Sequence, residues 1–270
     1  MKAWRRLFCI LNFAFCIAAI ACGPRRVALP TDTGSPFPDF AKVHEQISAA
    51  CRGVRTLTAE LSLRGRAGGQ RLSGRVIAGF ERPASMRLEG LAPIGQPVFH
   101  LVAQGSNGVL LLPRDNRVLR GQPAEAILDA LIGVNLAPAD VQAILTGCVV
   151  PNPMASAGRL HANGWASLDL QDGAKLYLRR APARATSQWE LRAAQRDGWQ
   201  LEYTMGQSRF PESVRLASDS QKVPVDLTTG ISQLEANVDL DAVAFRVDVP
   251  PDAKPLTLDE LRQSGPLRAQ

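Results

Sequence analysis

The residues of this chain with the widest range of site chemistry are three histidines, His44, His100 and His161, which stand far apart in the sequence. None has a Cys, Asp or Glu at the spacing of a metal-binding motif, so the fold alone would have to assemble a metal or histidine-based catalytic site. Asp239 and Asp241 are too few acids to indicate a calcium site. We therefore expect no metal, no cofactor and no enzymatic activity.

Serine and glycine motifs point the same way. Ser106 lies in Gly-Ser-Asn-Gly, which lacks the Gly-x-Ser-x-Gly elbow of serine hydrolases and is typical of a turn. Gly65, Gly68 and Gly69 fall between two strand-like segments rather than between a strand and a helix, so they do not predict a phosphate-binding loop.

One cysteine does have a sequence context that predicts chemistry. Basic residues in the first six positions precede an apolar run over 7–21, which ends in Ala-Ile-Ala-Cys-Gly at 19–23. A short apolar run with small residues before a cleavage point is typical of an export signal, here over 1–21. The resemblance to a lipobox implies that Cys22 becomes the acylated first residue and anchors the protein to a membrane. The alternative is an ordinary secretory signal with an incidental cysteine.

The residue after that cysteine bears on localisation. In lipoprotein sorting an Asp at this position retains a protein in the inner membrane, so Gly23 favours the outer membrane. Removing the signal takes away Lys2, Arg5 and Arg6 and no acid, which lowers the formal charge from +6 to +3. The remaining basic residues form no run. Four of them alternate with apolar residues and predict a solvent-exposed strand face rather than a nucleic-acid site: Arg64, Arg66, Arg71 and Arg75.

Five cysteines reduce to two in the mature domain. Cys9 and Cys16 leave with the signal and Cys22 is acylated, so Cys51 and Cys148 remain. An oxidising compartment permits a disulfide between them. Two buried free thiols stay an equal alternative, because the sequence does not give the distance between their Cα atoms.

The mature chain begins with a segment that is unlike the rest. Residues 22–38 are rich in Pro, Thr, Ser and Gly, which predicts a lipidated, extended tether. Apolar residues at helical spacing then predict an amphipathic helix over 39–52. We expect one domain over 39–262, a flexible tail over 263–270, and a monomer.

From Thr56 the hydrophobic period changes from helical to alternating. Gly68 and Gly69 separate two alternating segments, which predicts a β-hairpin. Further alternating segments continue to about residue 238 and predict eleven to thirteen antiparallel strands. Two segments, 123–133 and 138–147, instead predict short helices, since each begins with Pro and ends at Gly. An antiparallel sheet of this size twists and curls toward a barrel.

This order of elements resembles the LolA/LolB family of periplasmic lipoprotein carriers and receptors, and particular residues are similar to its LolB branch. Residues 86–95, Met-Arg-Leu-Glu-Gly-Leu-Ala-Pro-Ile-Gly, look like that branch's strand and following loop. Residues 124–151 are similar to its helical pair, and 189–203 to its aromatic hairpin. The resemblance implies an α+β, mostly antiparallel fold: an incomplete β-barrel of about 11 strands, with the N-terminal helix and the helical pair covering a hydrophobic cavity.

The resemblance also implies a function. The family accepts acylated lipoproteins from a LolA-like periplasmic carrier and inserts them into the outer membrane, without nucleotide or metal. Its cavity would here be lined by residues on apolar faces, although a filled core is the alternative. These candidates are Phe80, Met86, Leu88, Leu131, Trp189, Trp199, Tyr203 and Met205. A periplasmic lipid- or partner-binding lipoprotein on the same fold, with a sensor, regulatory or structural role, is the second hypothesis.

The loop after the strand at Leu91 is the candidate membrane-insertion site. Pro93 and Gly95 are turn residues, so they place the side chain of Ile94 at the tip of a tight loop. An aliphatic residue there either enters the bilayer boundary or folds back to plug the barrel.

Overall fold

A computed structural model describes residues 26–92, 96–181, 188–218 and 224–268. Its main feature is one open sheet of fifteen strands. The strands are β1 (Ser35–Pro36), β2 (Thr56–Ala67), β3 (Gln70–Glu81), β4 (Ser85–Leu91), β5 (Pro97–Gln104), β6 (Asn107–Leu112), β7 (Arg117–Gln122), β8 (Ala155–Leu160), β9 (Trp165–Leu170), β10 (Lys175–Arg180), β11 (Trp189–Arg196), β12 (Trp199–Met205), β13 (Pro211–Ser218), β14 (Val225–Ala236) and β15 (Lys254–Pro255).

The strands follow the spatial order β1-β8-β9-β10-β11-β12-β13-β14-β2-β3-β4-β5-β6-β7-β15. Neighbouring strands are antiparallel except for β7 and β15, which are parallel. The mostly antiparallel, open architecture is as predicted, but the strand number is higher than about 11. The two-residue strands β1 and β15 depend on pairing with distant segments, and β8 has the sequence ASAGRL, which shows no clear alternation.

The sheet is strongly curved. Leu201 of β12 and Phe99 of β5 line the same cavity, although six strand spacings separate β12 from β5 in the sheet order. In a flat sheet six spacings would hold the two strands about 29 Å apart. The sheet therefore wraps around the cavity without closing into a barrel.

Four α-helices occupy the described part of the chain: α1 (Phe40–Arg52), α2 (Ala124–Ile132), α3 (Pro138–Leu145) and α4 (Leu258–Ser264). The first three confirm the predicted helices. Pro123 precedes α2, and Gly133 ends it with a φ of 74°, which is the usual left-handed helix end. The sequence does not predict α4 as a helix, but Thr257 and Glu260 form a capping box at its start.

The register identifies two ends of the sheet. Ala67 pairs with both Gln70 and Val225, and Ser218 pairs with Val225 and Trp199. The turns 68–69 and 197–198 therefore lie at one end, together with Leu91 at the end of β4 and Pro97 at the start of β5. We call it the mouth end. The turns 82–84, 105–106 and 206–210 lie at the opposite end, which we call the base end.

The two terminal segments differ from the predicted tether and tail. Phe37 is buried, and the amide of Val27 donates a hydrogen bond to Oε1 of Glu202 at 3.0 Å. At the other end of the chain, Leu267 is only 4% exposed, and its carbonyl accepts a hydrogen bond from the amide of Ser73 at 2.9 Å. The composition of such segments predicts an extended chain because most of their residues are polar, Pro or Gly. It does not show that a few apolar side chains, such as those of Phe37 and Leu267, pack against the sheet and hold the segments in place.

Candidate functional site

The concave side of the sheet holds an apolar cavity of about 130 Å³. All of its lining residues except Thr229 are apolar, and they come from three sources: seven strands, the α2–α3 segment and the C-terminal segment. From the strands come Leu61, Leu63, Val76, Leu88, Phe99, Leu201, Val214, Leu216, Leu227 and Thr229, and from the rest Leu128, Leu131, Ile132, Val134, Leu136, Val141, Ile144, Leu145 and Leu267. Such a lining has almost no group that could fix a polar ligand, so it suits an aliphatic chain.

A second cavity of about 330 Å³ adjoins the first toward the mouth end. The two share five lining residues: Val134, Leu136, Ile144, Leu201 and Leu216. The outer cavity adds polar groups from Asn135, Gln195, Arg196 and Asp197. The inner cavity alone is smaller than a typical small-molecule site of about 300–1,000 Å³, and the outer cavity brings the pair into that range. Together they form an apolar channel with a polar entrance.

Helices α2 and α3 form a cover over this channel. Ile127 of α2 lies beside Gly108 near the base end, and Gly133 at the end of α2 lies beside Ala67 at the mouth end. Helix α3 then returns toward the base, where the side chain of Gln142 donates hydrogen bonds to the carbonyls of Val54 and Arg55. The connection between the helices therefore lies at the mouth.

The cover is fixed at the base end by a second set of contacts. Cys51 at the end of α1 and Cys148 after α3 form a disulfide, with their Cα atoms 6.2 Å apart. The hydroxyl of Tyr203 donates a hydrogen bond to the carbonyl of Cys148 at 2.7 Å, and burial raises the pKa of this hydroxyl. Among the described residues, no hydrogen bond joins the connection 134–136 to the sheet. The cover is thus attached to the rest of the domain at its base, whereas its connection at the mouth contacts the sheet by apolar packing.

The C-terminal segment closes one side of the channel. Gly74 of β3 leaves the space that Leu267 fills, since a Cβ at Gly74 would lie 2.6 Å from Cδ2 of Leu267. Helix α4 packs on α2, and Arg262 forms an ion pair with Asp129 at 3.2 Å. The cavity wall therefore includes residues from the far end of the chain.

Three of the eight residues predicted to line a cavity do so: Leu88 and Leu131 in the inner cavity and Trp199 in the outer one. Phe80 and Met86 have no exposed surface and fill the core near the base end. These two side chains do face the concave side, but they line neither cavity.

The other three predicted residues belong to a separate apolar cluster beside α1. Trp189 packs against Phe37 with their ring centroids 5.6 Å apart. Tyr203 is buried, and Met205 packs against the same cluster. An apolar strand face shows that a side chain points inward, but it does not tell a filled region from an open one.

Sequence reasoning missed several residues that do line the channel. Leu201, Val214, Leu216 and Leu227 lie on strands that alternation predicts correctly, but nothing in their spacing marks them as cavity-lining. The connection residues Val134 and Leu136 and the C-terminal Leu267 gave no signal at all.

Several predicted site residues lie outside the described residues, namely Cys22, Pro93, Ile94 and Gly95. Leu91 is described; it is the last residue of β4, is partly buried and pairs with Pro97. Leu91 and Pro97 both lie at the mouth end. No described helix is long and apolar enough to cross a membrane.

The histidines stay apart in the fold. His44 bonds to Asn152, His100 lies 3.5 Å from Glu89, and His161 bonds to Ser167. Burial lowers the pKa of His100. Within the described ranges, no three His, Cys, Asp or Glu side chains form a group that could hold a metal ion.

No protein-family model and no curated protein matches this sequence. Solved structures with a similar chain path include a LolA superfamily protein from Nitrosomonas europaea, with 10% identity and a TM-score of 0.48 over 77% of this chain and 97% of that one. A DUF1329 family protein from Desulfovibrio piger has 12% identity and a TM-score of 0.46, over 77% and 98% of the two chains.

A putative outer membrane lipoprotein-sorting protein domain from Vibrio parahaemolyticus has 10% identity and a TM-score of 0.45, over 77% of this chain and 96% of that one. At these identities and scores the likeness is limited to the general path of the chain. It assigns this protein to no family.

Proposed function

We propose that this protein is a membrane-anchored receptor that accepts acylated lipoproteins from a LolA-like periplasmic carrier and inserts them into the outer membrane. The observation that supports the proposal is the apolar channel, whose inner part is lined by apolar side chains apart from Thr229. The protein acts by binding and release, without catalysis or a cofactor.

The physical basis is the transfer of acyl chains out of water. Each buried methylene contributes about 0.8 kcal/mol, so a long chain gains affinity in proportion to the length it buries. The polar groups at the outer cavity suit the other end of a lipidated molecule, where the acyl chain meets the polypeptide. At the mouth, the connection between α2 and α3 is held to the sheet by apolar packing alone, so it can separate from the sheet to admit a chain and close again after release.

The anchor is the second part of the proposal. Acylation at Cys22 would hold the domain at the outer membrane, as the sequence around that residue predicts. Replacing Cys22 by Ala should block acylation and cleavage at this position, which mass spectrometry of the N-terminal peptide would detect. Incorporation of labelled fatty acid into this variant at the parent level would contradict the lipobox interpretation.

Native mass spectrometry of the purified protein tests the cavity. We expect a bound acylated peptide or lipoprotein, lost in a Leu216→Trp variant, because Leu216 lines both cavities and an indole would block the channel. Ile77→Trp is the matched control, since Ile77 is 50% exposed on the outer face and should leave binding unchanged.

The same experiment distinguishes the alternative. A bound free lipid in place of an acylated protein would favour a lipid-binding lipoprotein with a different role. The small volume of the inner cavity also suits a single free lipid chain. A parent protein that carries no acylated molecule and no lipid would favour a partner-binding module and would contradict both lipid-binding proposals.

A further inference from the structure

Three exposed arginines line a groove on the outer, convex face of the sheet near the mouth end. Arg66 of β2 lies directly opposite Arg71 of β3, and Arg64 lies opposite Ser73. The groove encloses about 620 Å³ and also contains the hydroxyl residues Ser62, Ser73 and Thr228. We call it the arginine groove, after Arg64, Arg66 and Arg71.

The charge of this groove is not balanced by the described residues around it. Asp226 lies opposite Arg66 in the register, but its two oxygens accept hydrogen bonds from Nε and Nη2 of Arg215, both at 2.7 Å. This pairing raises the pKa of the Arg215 guanidinium. In the described part of the chain, no carboxylate lies within ion-pair distance of Arg64, Arg66 or Arg71. Like charges placed directly opposite each other destabilise a strand pair, so the groove favours a bound anion.

The beginning of the described chain lies on the same face of the sheet. Val27 is held there by its hydrogen bond to Glu202, and Glu202 lies 3.5 Å from Arg215. Three strand spacings, or about 14 Å, separate β12, which carries Glu202, from β2, which carries Arg64 and Arg66. Cys22 precedes Val27 by five residues, which reach at most about 18 Å. The first described residues and the arginine groove therefore lie on one face of the sheet, and Cys22 is within five residues of that face in the sequence.

We propose that the arginine groove is a docking surface for the anionic phospholipid headgroups of the bilayer that holds the acyl chains of Cys22. This inference rests on the proposed lipid anchor. Arginine suits the role because its planar fork donates two parallel hydrogen bonds to a phosphate, and the neighbouring hydroxyls add further donors. Docking would turn the mouth end toward the membrane, so that cargo leaves the channel next to the bilayer.

The test measures the orientation of the acylated full chain on vesicles. The acylated Cys22 and the disulfide leave no free thiol in the processed protein, so Gln70→Cys carries a fluorophore at the mouth end and Ser106→Cys carries one at the base end. A lipid-borne quencher then reports which end approaches the bilayer. In phosphatidylcholine vesicles containing phosphatidylglycerol we expect stronger quenching at position 70 than at 106, and a loss of this difference in phosphatidylcholine alone or in high salt.

Removing two arginines provides the residue-level test. Each basic side chain near an anionic surface contributes binding equal to roughly a fivefold change, so Arg66→Gln with Arg71→Gln should lower the ratio of docked to undocked protein about 30-fold. Arg120→Gln with Arg159→Gln is the control, since these exposed arginines lie outside the groove and the change in net charge is the same. It should leave the orientation unchanged.

Several results would overturn the proposal. The groove does not dock to anionic lipid if quenching is equal at both positions or if the control pair has the same effect as the groove pair. The same conclusion follows if quenching does not depend on phosphatidylglycerol, and that result would favour an acidic protein as the partner of the groove. Failure of the anchor is detected separately, because a protein without acyl chains would not remain on phosphatidylcholine vesicles and would take up the fluorophore at Cys22.

Discussion

The sheet has two regions whose strands both show alternating apolar residues. One region packs closely against its helix, and the other encloses a cavity. Beside α1, the apolar cluster that includes Phe37, Trp189 and Tyr203 fills the space between helix and sheet. Under α2 and α3, the walls are mostly Leu, Val and Ile, and a cavity remains. We call these the filled region and the cavity region.

The difference follows from the shapes of the covering elements. Helix α1 has 13 residues and lies along β8 and β11, where aromatic side chains fill the gap below it. Helices α2 and α3 have nine and eight residues and turn back at the mouth. Aliphatic side chains from opposite walls of the curved sheet do not meet beneath them. We infer that the channel stays open because its cover is short and turns back at the mouth, and because its walls are mostly aliphatic, with Phe99 and Trp199 as the exceptions.

The disulfide joins the two regions, so breaking it should destabilise both of them. Its half-cystines are 97 residues apart, and removal of a disulfide that closes a long loop costs about 2–5 kcal/mol. Cys51→Ser with Cys148→Ser should therefore lower the free energy of unfolding by this amount in urea titrations. Labelling of either thiol in unfolded, unreduced parent protein would contradict the disulfide.

Equivalent leucine substitutions should separate the filled region from the cavity region. Leu168 has no exposed surface and lies in the filled region, so Leu168→Ala should cost about 3–5 kcal/mol of unfolding free energy. Leu131 faces the inner cavity, and a side chain next to a void has fewer contacts to lose. Leu131→Ala should cost about 2 kcal/mol. Equal losses in thermal or urea unfolding would show that the cavity closes in solution.

Ile94, the predicted membrane-insertion residue, gives a prediction about release rather than stability. Ile94→Glu should leave folding and cargo binding nearly unchanged and slow the transfer of bound lipoprotein into liposomes. Entry of one aliphatic side chain into the bilayer boundary contributes about 1.5–3 kcal/mol, so transfer should slow about tenfold or more. A loss of several kcal/mol in unfolding free energy would show that Ile94 folds back and plugs the barrel. Transfer at the parent rate would show that Ile94 has no part in release.

The smallest effect concerns the C-terminal wall of the cavity region. Hydrogen bonds from Arg117 and from Thr257 lower the pKa of Glu260 from 4.5 to about 2. Since the folded pKa is depressed, this contribution to stability is present above about pH 4.5 and is lost as the pH falls toward 2. The protection factors of the α4 amides, which correct the exchange rates for the intrinsic effect of pH, should therefore fall in that interval. Glu260→Gln should abolish this pH dependence, whereas Asp259→Asn, which leaves the capping box intact, should preserve it.

Much of the fold could be predicted because its signals are local. Alternation and the Gly68–Gly69 turn give the β2–β3 hairpin, and helical spacing with Pro and Gly boundaries gives α1, α2 and α3. The charged face that carries Arg64 and Arg66 also follows from alternation, because successive strand residues point to opposite sides. The proposed binding of anionic lipid by that face does not follow from alternation. It depends on the pairing of Asp226 with Arg215 of another strand, which leaves the charges of Arg64 and Arg66 unbalanced.

The sequence by itself determined the predicted signal at Cys22, the strands and helices, and which side of each strand is apolar. Only the tertiary structure decided that Cys51 meets Cys148, that Leu267 enters the cavity wall beside Gly74, and that Leu216 lines a channel while Tyr203 fills a core. The physical reason is that the pattern of apolar residues along one strand indicates which of its side chains are buried. Whether buried side chains meet or leave a space depends on the curvature of the whole sheet and on the length of the helices across it.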